Sequence, residues 1–478
     1  MLSLTVSCLS ILPLAFMKFP FIDKFQSVRR SASASTTSSS AAHAAPGASS
    51  SYASDESSGT RTARRAGGTL LPPLLLFLAA VSSAEASPLN PQPVALFGPF
   101  FQGWLVRTVD HACQRSVILI VGSFSKGGSR RFDEHYVFCG VETPDGAQQF
   151  EAFPDPSGVS ITGSRPSLPF PVRLSPFMQK TNITWAAKNL GWFKFNDEEC
   201  CADFKLGGAR VRFTAKNRVP WSPTNTHSAG PEGMLGYIPF LLPCHYFVHS
   251  CGSDCDYALE LPTSRRSESS VRSLLSATHT LSGRGHAHIE GNHGTCFPQG
   301  WVWAQAVSRD NRASFSLTGG RFEIGPLSPL TFILFVRSNG RTRIFRTTDL
   351  DKVEYDLDGV SGTVKITAQS VFGQSKAVIT ITPQGPFERA FGKPIHIPTP
   401  AGFSDAPGCR ETYTAIADVA CFDYDAEAGE YRPAETVRFP LTALEFGGSF
   451  QGIRQLSKAM RREVIRSLGL ASNGFFGL

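Results

Sequence analysis

This sequence predicts an all-β, antiparallel fold, on three observations. Beyond residue 90 the dominant spacing of apolar residues is two rather than 3.6. Turn residues recur at roughly ten-residue intervals, with Asp145-Gly146, Asn339-Gly340 and Asp358-Gly359 forming the pairs that suit hairpins. Strands do not alternate with long helical patterns, which argues against a parallel α/β sheet. Thirty-seven phenylalanines with abundant glycine and proline fit many short strands around an aromatic-rich core.

The first 90 residues read as a targeting leader rather than domain material. MLSLTVSCLSILPLAFM is a short apolar run with small residues near Ala15, as in a secretory signal. Residues 27–65 are rich in Ser, Ala, Thr and Arg, with Asp55 and Glu56 as their acids. That composition suits a transit region and buries too little apolar surface to fold. Arg64-Arg65, the run LLPPLLLFLAAV and Ala84-Glu85-Ala86 then resemble a second, twin-arginine export signal. Leaders in series suit a plastid bounded by extra membranes, with the thylakoid lumen or thylakoid surface as destination.

From residue 91 the strand signals follow in order. SVILIVGSF (Ser116–Phe124) is an apolar run of strand length, and VKITAQ and AVITIT alternate cleanly. TRIFRTTDLDKVEYDLDG and VRFPLTALEFGG add further strands. The polar, Ser-rich segment 263–281 divides an N-terminal half (91–262) from a C-terminal half (282–450). In the tail, 451–478, a helix is expected from Gln451 to Leu470. Ile453, Leu456, Met460, Val464 and Leu468 share one face, and Arg454, Lys458, Arg461, Arg462 and Arg466 lie elsewhere. The basic side suits either solvent or an anionic membrane.

Charge excludes one class of partner. The chain carries net +7, but seven basic and four acidic residues fall in the first 86. The remainder is too balanced for nucleic acid, which calls for a concentrated basic face. Walker A, G-x-S-x-G, G-x-G-x-x-G and EF-hand patterns do not occur, so nucleotide-driven chemistry and serine hydrolysis have no foothold. The eleven cysteines, an odd number without repeated C-x-x-C pairs, define no disulfide framework.

The densest chemistry lies in HAHIEGNHGTCFPQGWVWAQ, residues 286–305. On a strand, His286, His288 and Glu290 project to one face and could in principle hold a metal, as in a cupin-like enzyme. The spacing fits neither a helical zincin motif nor a cupin pattern. Cys244, His245, His249, Cys251 and Cys255 likewise match no zinc module. A different reading takes Glu290 with the stripe Trp301, Trp303 and Gln305, which share a strand face opposite Val302 and Ala304. Two indoles and an amide can line an apolar pocket. A carboxyl beside such a pocket is desolvated and able to hold and donate a proton. Indole faces then stabilise a carbocation.

The same stretch resembles the tocopherol cyclase segment G-x-x-x-E-K-N-W-G-x-x-F-P-x-x-W-x-W-x-Q. It keeps Glu290, Asn292, Gly294, Phe297, Pro298, Trp301, Trp303 and Gln305. FFQGWLVRTV (Phe100–Val109), with Trp104, resembles the family's F-F-E-G-W-Y opening. PTPAGFSDAPGCRETY (Pro398–Tyr413) resembles its P-T…C-R-D-S-Y segment, and LTALEFGGSF (Leu441–Phe450) its A-x-V-E-x-G-G-x-W segment. The likeness spans nearly all of 95–478. Gly291, His293 and Gln102 depart from the family's lysine, tryptophan and glutamate.

The resemblance implies two lipocalin-like halves around a lipid-sized cavity, and a redox-neutral isomerase of vitamin E biosynthesis. Its substrate would be a prenylated (phytyl) hydroquinone lipid, closed to a chromanol without a cofactor or metal, with peripheral membrane or plastoglobule association. Glu290 and His293 are then the expected catalytic residues, with Trp104, Trp301, Trp303 and Gln305 binding substrate. A lipocalin-like prenyl-lipid or quinone carrier without turnover is the alternative, and a metal enzyme using His286 and His288 the second.

Overall fold

The computed structural model describes residues 98–128, 131–163, 181–221, 230–233, 242–262, 278–323, 328–386, 390–391 and 395–467. The leader calls, and residues 263–277 of the expected linker, lie outside them. The described chain is nearly all β, as the period-two patterning predicts, in an eleven-stranded and a ten-stranded antiparallel sheet. One short pair, Pro398–Thr399 with Gly402–Phe403, stands apart.

The two sheets share a connectivity. In the first, the opening strand Phe100–Asp110 pairs on one side with Arg115–Ser125, its successor, and on the other with Thr278–Gly294. In the second, the opening strand Gly300–Val307 pairs with Ser314–Arg321 and with the long late strand Glu430–Gly448. Each half is therefore a meander whose first strand returns beside one of its last. The register also relocates the boundary between halves. Thr278–Gly294 completes the first sheet, so the chain crosses between sheets at Gly294–Gly300 rather than across 263–281. The strands on either side of 263–277, Cys244–Pro262 and Thr278–Gly294, are neighbours in the same sheet.

Alternation sorts side chains among four apolar clusters, a small one being Trp221, Val248, Cys251 and Phe335. Trp104, Val106, Trp185, Phe193 and Phe204 fill the first sheet's own core. Val302, Ala304, Phe315, Leu317 and Phe446 fill the second sheet's. Ile118, Tyr136, Phe138, Trp301, Trp303 and Tyr413 form a third cluster where the sheets face each other. The central strands are apolar on both sides because both sides are covered.

The C-terminal helix is shorter than its periodicity suggests, at Lys458–Ser467. Arg454–Leu456 is instead a strand against Asp356–Asp358. Arg454 forks onto the Asp356 carboxylate at 2.8 and 2.6 Å, favouring sheet pairing over another helical turn. Ser457 accepts the Met460 N–H at its side-chain oxygen and starts the helix as an N-cap.

Arg107 fastens the two sheets. It is fully buried, on Phe100–Asp110, and its guanidinium donates to the carbonyls of Gln305 (3.3 Å), Tyr413 (3.1 Å) and Leu441 (3.0 Å), all on the second sheet. It also donates to Ser116 Oγ at 3.0 Å. Burial lowers its pKa to about 9, opposed by the nearby charges of Glu142 and Glu411. Arg107→Met should cost about 3 kcal/mol or more, because it strips donors from buried carbonyls and leaves acids without their cation. Urea unfolding measures this, and a loss under about 1 kcal/mol would mean Arg107 is not the tie described.

Candidate active site

The site lies where the equivalent strands of the two halves meet. From the first sheet, Glu290 stands opposite Leu105 and Val248, so all three point toward the second sheet. From the second, Trp303 stands opposite Glu445, and Glu445 opposite Glu411 on Cys409–Asp425. One row across three strands thus presents an indole and two carboxyls to the gap. Trp301 stands opposite Gly447, where any Cβ would run into its indole. Glycine there lets the ring lie across the neighbouring strand.

These residues line a cavity with Leu105, Ile120, Tyr136, Tyr246, Asn292 and Phe297, and with Phe332 and Thr348 further along its wall. Its space, counting the part open to solvent, is about 1410 Å³. The walls are mostly apolar and aromatic: Phe297 packs against Trp301 at 5.3 Å and edge-on against Phe101 at 5.1 Å.

Three acids stand in this apolar setting, in two arrangements. Oε2 of Glu290 accepts from Tyr246 Oη (2.7 Å), His288 Nε2 (2.7 Å) and Trp303 Nε1 (3.2 Å). The Trp303 bond also joins the sheets across the cavity.

Glu411 and Glu445 behave differently. Their carboxyl oxygens and Cys409 Sγ lie within 4.8 Å of one another. Burial, then the charge of Glu445 beside it, pushes Glu411 well above the ordinary carboxyl range. Burial also raises Glu445, against hydrogen bonds from Glu411 and Trp301 that pull it down. Two buried carboxyls this close cannot both ionise, so the pair keeps one proton. Tyr413 Oη donates to Glu411 and Trp301 Nε1 to Glu445. The arrangement can offer a proton to an apolar ligand and take one back.

Glu290, Trp301, Trp303 and Trp104 are all among the residues lining the cavity, and His293 and Gln305 are not. His293 falls on the far side of its strand, three positions from Glu290 and hence of opposite parity. It packs against His245 and Phe247, each at 5.3 Å, and burial lowers its pKa to about 3. The Trp104 indole turns the same way, into the first sheet's core, with Phe193 at 6.3 Å. Gln305 keeps the face of the tryptophans but sits deeper, where its carbonyl receives Arg107, and is not among the cavity-lining residues. His286 keeps the face of His288 and Glu290, but its ring nitrogens meet Asp254 at 3.4 Å and the Arg309 carbonyl at 3.3 Å. His288 is engaged by Glu290. His245 holds Glu232 at 2.7 Å, while His249 packs on Phe195 at 4.9 Å, so the second Cys/His cluster gathers no common centre.

The three departures from the resembled family also share an address. Gly291 and His293 stand opposite Trp104 and Gln102, at positions of opposite parity to Glu290, and Gln102, Trp104 and Gly291 still border the cavity. Gln102 is paired with Ser123, whose hydroxyl meets the Trp185 indole inside the first sheet.

Glu411, Glu445 and Tyr246 escape the sequence reading. The two acids lie within CRETY and ALEFGG, but nothing in either patch shows that they become neighbours. Tyr246 lay in the stretch weighed for metal. At a pH above the ordinary carboxyl range, an infrared carboxylic-acid band from the Glu411/Glu445 pair should persist in the folded protein. Glu411→Gln should remove it, and Glu290→Gln should leave it. Its absence from the unsubstituted protein would contradict a shared proton.

No family model matches the chain, and no curated protein matches it. Among solved structures it is similar to CghA with Sch210972, at 11% identity and TM-score 0.45, over 78% of this chain and 97% of that one. CghA alone gives 11% identity and TM-score 0.46, over 77% and 97%. A protein of Nitrosomonas europaea described as an ATTH gives 10% identity and TM-score 0.38, over 74% and 93%.

Proposed function

We propose that the protein is a tocopherol cyclase-like isomerase, closing the chromanol ring of a prenylated hydroquinone in the cavity between its sheets. The observation that carries this reading is the buried Glu411/Glu445 pair, holding one proton against an apolar, indole-walled space. The pair's proton goes to the less substituted carbon of the prenyl double bond nearest the ring. The adjoining carbon becomes a tertiary cation, facing Trp301 and Trp303, whose ring faces stabilise it. The phenol oxygen attacks that cation, forming the C–O bond. Its proton returns to the carboxyl pair, so atoms and electrons balance with no oxidant and no cofactor.

Glu290 has a separate task on this reading. Anchored by Tyr246, His288 and Trp303, it offers a fixed acceptor that orients the phenol and offsets the developing positive charge. The mostly apolar, aromatic walls limit the water that can reach the cation. Glu290 keeps Tyr246, His288 and Trp303 as its partners although Gln102, Gly291 and His293 depart from the resembled family. The leader composition of residues 1–90 supports a plastid setting, at or within the thylakoid.

Incubating the purified protein with a phytyl hydroquinone, without added metal or nucleotide, should give the chromanol. Glu411→Gln keeps shape and loses the donor, so turnover should fall about 10²-fold or more, the usual worth of a positioned general acid. Substrate should still quench the tryptophan fluorescence of that variant. Binding without any product in the unsubstituted protein would replace this reading with a lipid carrier. Activity that requires added metal and disappears in His288→Ala would restore the metal enzyme.

A further inference from the structure

The cavity wall leads to an exposed apolar corner. Thr348 lines the cavity, and it sits in the turn Thr347–Asp349 that ends at Leu350. Leu350 is 78% exposed and adopts the left-handed backbone conformation, φ 66°. A branched apolar residue in that region is unfavourable, and here the backbone holds its side chain out into solvent. The neighbouring hairpin adds Val371 and Phe372, the latter 87% exposed. The Val371 N–H donates to Asp351 at 2.8 Å, which places the hairpin beside the Leu350 turn.

The acids of this corner are engaged by its own cations, so the exposed positive charge is that of the nearby helix. Asp349 is held by Arg346 at 2.8 Å, and Glu354 by Lys352 at 2.6 Å. Asp351 accepts from the backbone of Arg346 and Val371. Lys376, at the base of the hairpin, lies over the Phe422 and Tyr431 rings. The helix Lys458–Ser467 leaves the sheet where Ser457 N–H meets the Tyr355 carbonyl. Arg454–Leu456 runs antiparallel to Asp356–Asp358, so the chain reaches this helix travelling toward the Lys352 end of that strand. Lys458, Arg461 and Arg462 are exposed on the helix.

We propose that this corner docks the protein on an anionic lipid bilayer, Leu350, Val371 and Phe372 entering the interface and the helix cations meeting the headgroups. Apolar side chains beside exposed cations are the pattern of reversible interfacial binding. Three side chains bury modest area, which suits visits to the surface rather than permanent anchorage. The Thr348 turn then presents one side of the cavity wall to the bilayer, where an apolar substrate resides. Only this last clause, the transfer of substrate, rests on the cyclase reading. Docking itself rests on the corner.

The test is co-sedimentation of the full chain with phosphatidylcholine vesicles, with and without phosphatidylglycerol. Binding is expected to the anionic vesicles, weakened by salt. Leu350→Ser with Phe372→Ser should weaken it by about tenfold or more, the factor that burial of two such side chains implies. Lys458→Glu with Arg461→Glu should abolish the preference for anionic vesicles. Unchanged binding in both pairs of variants, or equal binding to neutral vesicles, would overturn the proposal. Turnover should be compared with substrate delivered in vesicles and in detergent. A loss confined to vesicles supports substrate transfer, and an equal loss in both overturns that clause. Vesicle binding without turnover in either form would overturn the cyclase reading and leave docking standing.

Discussion

Arg107 donates from the first sheet to three backbone carbonyls of the second, and the site depends on the gap those bonds hold. A sheet face packed on another sheet is normally closed by side chains from both. Here the cation fastens one part of the contact and leaves space beside it for a cavity. The three carbonyls belong to the strands that carry Trp303, Glu411 and Glu445. Placing those strands therefore places the indole and the carboxyl pair against Glu290. Burying one guanidinium is costly unless each donor is met, and the carbonyls, Ser116 and the neighbouring acids meet most of that need.

The acids show how environment divides one residue type between two tasks. Glu290 is surrounded by donors that converge on a single oxygen. Glu411 and Glu445 have each other, so burial and mutual repulsion keep a proton between them. Both arrangements line the same aromatic cavity. Indole nitrogens serve both: Trp303 reaches Glu290 and Trp301 reaches Glu445. The same rings that would face a cation thus orient the acids as well, which couples wall and chemistry.

Much of this was legible in the sequence, and the limits have physical causes. Period-two spacing identifies strands, and it correctly divides Trp301 and Trp303 from Val302 and Ala304. Parity also assigns His293 to the face away from Glu290, although the family pattern drew attention to both. Pairing between distant strands is what the sequence withholds. Glu411 and Glu445 are ordinary acids 34 positions apart until register sets them opposite each other. The tail misleads for a similar reason: its helical periodicity begins at Gln451, but Arg454 finds Asp356 on another strand. The boundary near 263–281 misleads because a polar segment can join two strands of one sheet as readily as two halves.

The central claim is that ring closure begins with a proton placed on an alkene carbon inside the cavity. Running the reaction in deuterium oxide and locating the label in the product tests it most directly. The account predicts one deuterium, on the ring carbon that was the less substituted end of the double bond, and a product isomeric with substrate apart from that label. A chromanol without carbon-bound deuterium, or a product two hydrogens poorer than substrate, would contradict it.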